Sequence, residues 1–112
     1  MPEGTLRNSV AIVGVGESDI GKVPGMTGLG LNAQAAMRAL EETGLKPSDI
    51  DGLLTAYSFT EPYFMLGSVM CEYLGITPRF NASVIVGGGS PAVMLKHAAE
   101  AIAMGQAETV LI

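Results

Sequence analysis

Four consecutive small residues, Gly87-Gly88-Gly89-Ser90, join an apolar run to the start of an apolar helical stretch. At a helix start the first backbone N–H groups have no intrahelical partner, and they lie at the positive end of the helix dipole. Such a turn can hold an anion or stabilise a developing oxyanion. The same residues also fit a glycine-rich turn with Ser90 as a plain N-cap. Spacing alone does not separate the two readings.

The other reactive residues are sparse. Gly14-x-Gly16 follows an apolar run, but the third glycine of a dinucleotide fingerprint would fall at Asp19, and a long loop follows. Those glycines are expected to let a strand leave a sheet tightly. Cys71, the single cysteine, sits mid-helix between Met70 and Glu72 with no base beside it. It reads as a small core residue. His97 shares a polar strip with Lys96 and Glu100 and shows no partner acid or nucleophile. Tyr57, Tyr63 and Tyr73 read as packing residues.

The elements that position these residues alternate in type. Val10 to Val15 is a nearly continuous apolar run, expected to form a strand buried on both faces. A loop follows, and Thr27 is placed to cap a helix running to about Thr43. Leu29, Ala33, Ala36, Met37 and Leu40 form its apolar stripe, flanked by Leu31, Ala35 and Ala39. Gln34, Arg38, Glu41 and Glu42 take the wet side. Gly44 is the expected stop.

Residues 46–51 are expected to make one short helical turn. A second strand is expected over residues 53–57 and a helix from about Tyr63 to Leu74, ended by Gly75. A third strand is expected over residues 82–86. After the glycine turn, Pro91 suits a first helical turn, and that helix is expected to reach Met104 and stop at Gly105. Residues 108–112 begin a fourth strand. Alternating strands and helices point to a mostly parallel α/β sheet. From residue 92 to residue 104, only Lys96, His97 and Glu100 are polar. A helix of that composition is expected to be buried almost all round.

Composition bounds the rest. The chain has 112 residues, 48% hydrophobic, with mean hydropathy +0.40 and a net charge of −5. No apolar run approaches the length of a membrane span. No basic cluster suits nucleic acid. No Cys/His cluster suits zinc, and the N-terminus lacks a signal-peptide pattern. A cytoplasmic protein fits best. Such apolar richness in so short a chain, with a helix that it would struggle to enclose, suggests missing sequence or a dimer partner. We expect residues 1–112 to be the N-terminal part of a larger α/β domain, cut inside a strand at Ile112.

Residues 81–112 resemble the thiolase superfamily. The stretch Ser83-Val84-Ile85-Val86-Gly87-Gly88-Gly89-Ser90 is similar to its strand and nucleophile turn. Ala98-Ala99-Glu100-Ala101-Ile102-Ala103-Met104-Gly105-Gln106-Ala107-Glu108-Thr109-Val110-Leu111-Ile112 is similar to the following helix, glycine turn and strand. The opening Val10-Ala11-Ile12-Val13-Gly14-Val15-Gly16-Glu17-Ser18, with Gly21-Lys22, resembles the first strand of the sterol-carrier-protein-x and lipid-transfer branch. Ala33 to Gly44 and the turn to Asp51 resemble the family's first helix and turn.

The resemblance implies a thiolase-like layered fold, of which this would be the N-terminal portion of the first α/β half, mostly parallel sheet with a buried helix. It implies acyl-CoA thioesters as substrates, coenzyme A entering as part of the substrate and no bound cofactor. It also implies a homodimer. Counting back seventeen positions from Gly105 puts the family's nucleophilic cysteine at Gly88. Glycine cannot carry an acyl group as a thioester. Some members of the lipid-transfer branch lack this cysteine and resemble aldolases. They cleave β-hydroxyacyl-CoA by retro-aldol chemistry, often with a small OB-fold partner protein. Gly88 would then act only as a backbone oxyanion donor, with Gly87, Gly89 and Ser90 beside the substrate. The alternatives are a thiolase-type acyltransferase and a non-catalytic thiolase-fold subunit. Residues 1–112 alone are expected to be inactive, since the family's catalytic histidine and second cysteine lie further along.

Overall fold

A computed structural model describes residues 6–112. The first regular element is helix α1, Gly28–Thr43. The Thr27 hydroxyl accepts the N–H of Gly30 at 2.9 Å, as the sequence predicts for a cap. Gly44 ends the helix at φ +75°, and its N–H reaches the Leu40 carbonyl. A 3₁₀ turn over Pro47–Asp49 leads into strand β1, Gly52–Thr55. Helix α2, Leu66–Leu74, stops at Gly75 with φ +72°. Strand β2, Phe80–Ser83, precedes helix α3, Ser90–Ala103, and strand β3, Val110–Leu111.

The three strands form a parallel sheet in the order β2-β1-β3. Gly52 pairs with Phe80 on one side and with Val110 on the other. Central β1 is therefore paired along both edges, and its adjacent leucines point to opposite faces. Leu53 packs with Leu40, Ile50, Leu66, Met70, Cys71 and Ile76 on the α1/α2 side. Leu54 packs with Val84, Met94 and Ala98 on the α3 side. Both leucines are only 1% exposed. Period-two alternation thus builds a three-layer α/β/α arrangement.

Three expectations need correction. The run Val10 to Val15 is not a strand of this sheet. The sheet's ladders pair β1 with β2 and β3 alone, and the run joins neither free outer edge. It lies against α1 instead, with Ile12, Val13 and Val15 exposed. Gly14 and Gly16 do not serve a tight exit from a sheet. They let the backbone rest on the helix, because a Cβ at either position would strike main-chain atoms of Ala39 or Ala35. Gln34 and Arg38, on the polar side of α1, also hold this segment. Gln34 accepts the Asp19 N–H and donates to the Asp19 carboxylate, while Arg38 donates to the Glu17 carbonyl and the Asp19 carboxylate.

Helix α3 is the second correction. Ser90, Met94, Ala98 and Ala101 are buried, but Pro91, Ala92, Leu95, Lys96 and Ala103 are exposed. The sheet covers one face of the helix, and no other described residue covers the opposite one. Met37 is the third: it stands at the rim of α1, exposed, while Ala36 and Leu40 carry the stripe. Element ends also shift. The strands are shorter than their apolar runs: β1 and β2 end together at Thr55 and Ser83, and β3 pairs only with Gly52 and Leu53.

Candidate functional site

The glycine turn stands just past the carboxyl end of β2. There Ser83 and Thr55, the register-matched last residues of β2 and β1, share a hydroxyl–hydroxyl hydrogen bond of 3.0 Å. Val84 adds one more sheet hydrogen bond, to the Thr55 carbonyl. The chain then leaves the sheet through Ile85 and Val86. Gly87–Gly89 form a 3₁₀ turn that runs directly into α3. The carboxyl ends of parallel strands are where α/β sheets gather their ligand sites.

Each glycine in the turn differs. Gly87 has φ +67°, a left-handed conformation that a side chain resists. Gly88 and Gly89 do not. A Cβ at Gly88 would meet no heavy atom within 4 Å. Position 88 could therefore hold a side chain in this backbone, and the sequence leaves it empty.

Ser90 is the buried polar residue of the turn, 4% exposed. Its hydroxyl accepts the N–H of Val86 at 3.1 Å and donates to the Gly87 carbonyl at 2.8 Å. It is the first residue of α3 and caps no N–H of that helix, so the plain N-cap reading does not hold. Its hydroxyl is turned inward, into the fold of the turn.

The remaining candidates lie elsewhere. Cys71 is 4% exposed in the α2 core, and burial pushes its thiol pKa up, as suits a packing residue. His97 is half-buried on α3. Lys96 pairs with Glu100 one turn away and holds that carboxyl below its usual range. Tyr57 packs edge-on against Phe59 with ring centres 5.3 Å apart. Among the described residues, no group of three His, Cys, Asp or Glu could hold a metal ion, and no helix is long and apolar enough to cross a membrane.

Sequence reasoning did not find the polar cluster between α2 and β2. There the Asn81 amide donates to the Ser68 hydroxyl, and Ser83 accepts the N–H of Gly67. The buried Asn81 Oδ1 has no partner. A shallow cleft of about 220 Å³ lined by Phe64, Met65, Gly67, Ser68, Asn81, Ala82 and Ser83 opens here, with none of the three turn glycines in its lining. The alternation of polar Asn81 and Ser83 along an otherwise apolar strand was its one signal.

The parallel sheet, the layers and the glycine turn at the head of α3 define a thiolase-like α/β unit. Particular relatives agree. The chain is 36% identical over 107 residues to the 17-hydroxy-3-oxo-4-pregnene-20-carboxyl-CoA lyase of Mycobacterium tuberculosis, covering 95% of this chain and 27% of that protein. It is 33% identical over 108 residues to the steroid side-chain-cleaving aldolase of Thermomonospora curvata, covering 95% and 26%. The solved Ltp2-ChsH2(DUF35) aldolase superposes with a TM-score of 0.75 at 33% identity, covering 89% of this chain and 25% of that one. An acetyl-CoA acetyltransferase from Syntrophomonas wolfei shares the fold alone, with a TM-score of 0.69 at 19% identity over 86% of this chain and 26% of that one. No protein-family model matches the chain. The chain spans about a quarter of the length of the curated relatives it matches.

Proposed function

We propose that the protein containing this chain acts on acyl-CoA thioesters and cleaves a carbon–carbon bond of a β-hydroxyacyl-CoA by a retro-aldol reaction. The observation that carries the reading is Gly88. By the chain's resemblance to the thiolase superfamily it falls at the nucleophile turn, and it offers no side chain. The two curated relatives, named as a lyase and an aldolase, support the same direction.

The chemistry needs no acyl-enzyme. A base takes the β-hydroxyl proton, and the oxygen electron pair forms the new carbonyl. The bond between the α and β carbons breaks, and its electrons enter the thioester as an enolate. Protonation at the α carbon then releases a shortened acyl-CoA beside a ketone or aldehyde. Backbone N–H groups of the turn at residues 87–89, at the positive end of α3, would stabilise the enolate oxygen. Coenzyme A enters with the substrate, and no resident cofactor is required.

A homodimer fits the unpaired outer edge of β2 and the exposed apolar Phe64 and Met65 near it. A partner subunit, of the small OB-fold kind, fits the two-component name of the solved Ltp2-ChsH2(DUF35) aldolase. Assignment to the sterol-carrier-protein-x and lipid-transfer branch, and to the cytoplasm, belongs to the same proposal.

The test is turnover by the protein expressed from its complete reading frame, with and without partner candidates. Release of a carbonyl compound and a shortened acyl-CoA from a β-hydroxyacyl-CoA, without added free coenzyme A, is the expected result. Cleavage of a β-ketoacyl-CoA that depends on free coenzyme A would instead make it a thiolase-type acyltransferase. Binding of acyl-CoA with neither activity would make it a non-catalytic subunit.

A further inference from the structure

A turn of three glycines is the loosest backbone a chain can offer. An oxyanion site needs the reverse, since its donors act only if they are aimed before charge develops. Nothing packs against this turn where side chains would be. A Cβ at Gly87, Gly88 or Gly89 would find no heavy atom within 4 Å. Among the described residues, the one side chain hydrogen-bonded to it is Ser90. From the far end of the turn that hydroxyl reaches back to its start: it accepts from Val86, just before the glycines, and donates to the carbonyl of Gly87, the first of them. The Ser90 N–H reaches the same Gly87 carbonyl. With that carbonyl held from two sides, the peptide joining Gly87 to Gly88 cannot rotate freely.

We propose that Ser90 is a positioning residue that aims the backbone N–H groups of the glycine turn and thereby gives the site its preference for an enolate oxygen over a neutral thioester. The inference rests on the retro-aldol reading and deepens it. Ser90 does not touch the substrate; it acts through the main chain of Val86 and Gly87. Three glycines in a row are then tolerable because one buried hydroxyl restores the order that they remove.

The test uses the protein from its complete reading frame and two probes. One is coenzyme A. The other is S-carboxymethyl-coenzyme A, whose carboxylate oxygen stands in for the enolate oxygen. The native protein is expected to prefer the carboxymethyl compound. Ser90→Ala is expected to lose about tenfold or more of that preference while its affinity for coenzyme A stays within about twofold. Ser90→Thr, which keeps the hydroxyl, is expected to retain the preference. Should Ser90→Ala lack a cooperative melt, Ser90→Cys is read the same way, since a thiol is a weak hydrogen bonder of similar size. An unchanged preference in a folded Ser90→Ala or Ser90→Cys protein overturns the proposal. A native protein with no preference overturns the retro-aldol reading beneath it, and that arm reports before any variant is made.

Discussion

The Asp51 carboxylate accepts the backbone N–H of Thr109 at 2.9 Å, across 58 positions of sequence. It also accepts the N–H of Glu108, and the Asp51 N–H returns to the Thr109 carbonyl at 3.1 Å. Arg79 flanks the carboxylate at 3.7 Å and donates to the Gly105 carbonyl. One acidic side chain thus sets the starting register of β3 against β1 and holds the exit from α3. The glycine turn lies at the other end of that helix, so this clasp fixes the scaffold and not the site.

Asp51→Ala is expected to destabilise the fold by about 1–3 kcal/mol, because the N–H groups of Glu108 and Thr109, just before β3, lose a charged acceptor. Asp51→Asn keeps one acceptor oxygen and should cost less. Denaturant midpoints of the two variants check the order. Equal midpoints for Asp51→Ala and the native protein would contradict the clasp.

Gly88 and Gly87 should respond oppositely to a side chain. Gly88→Cys meets open space at an ordinary φ, so it is expected to fold with an unchanged melting temperature. Its thiol should become acylated by acyl-CoA, detected by intact mass. Gly87→Ala forces a Cβ into φ +67° and is expected to cost about 1–2 kcal/mol.

Gly16→Val is expected to release the 10–19 segment from α1. The new side chain has no room over the Ala35 carbonyl and the Ala39 amide. The segment should become more open to limited proteolysis between Ile12 and Ile20, at a stability cost of about 1–3 kcal/mol. Unchanged cleavage would show that the glycines are not required by the helix contact.

Asp19 gives that segment a pH dependence. The Arg38 hydrogen bond, then that of Gln34, then the Arg38 charge hold its carboxyl below the usual value. A carboxyl lowered on folding contributes stability above its unfolded pKa, and that contribution fades as pH falls through the folded value. The melting difference between native protein and Asp19→Asn is therefore expected at neutral pH, should start to fade as pH falls past about 4, and should vanish only below the lowered folded value. The pair is exposed, so the difference should be small and should shrink in salt.

The caps were legible because they are local: Thr27, Gly44, Gly75 and Gly105 each act within a turn of their own residue. The central strand was legible because Leu53 and Leu54 need cover on both sides. Val10 to Val15 was misread because an apolar run states that a strand wants neighbours, not whether they are present. Likewise α3 carries the composition of a buried helix, yet only the sheet covers it. The glycine turn was legible as a feature, but the inward hydroxyl of Ser90 was not, since sequence does not tell an N-cap from a clasp of the preceding turn. Asp51 was read as a turn residue because its partners lie far along the chain.

The central claim is carbon–carbon cleavage without an acyl-enzyme, at a turn where Gly88 replaces a nucleophile. The most direct measurement is turnover of a β-hydroxyacyl-CoA in deuterium oxide by the protein from its complete reading frame, with intact mass followed in parallel. Deuterium is expected on the α carbon of the released acyl-CoA, with no acyl adduct on the protein. An acyl adduct on the native chain during turnover, at Ser90, Cys71 or any other residue, would contradict the claim.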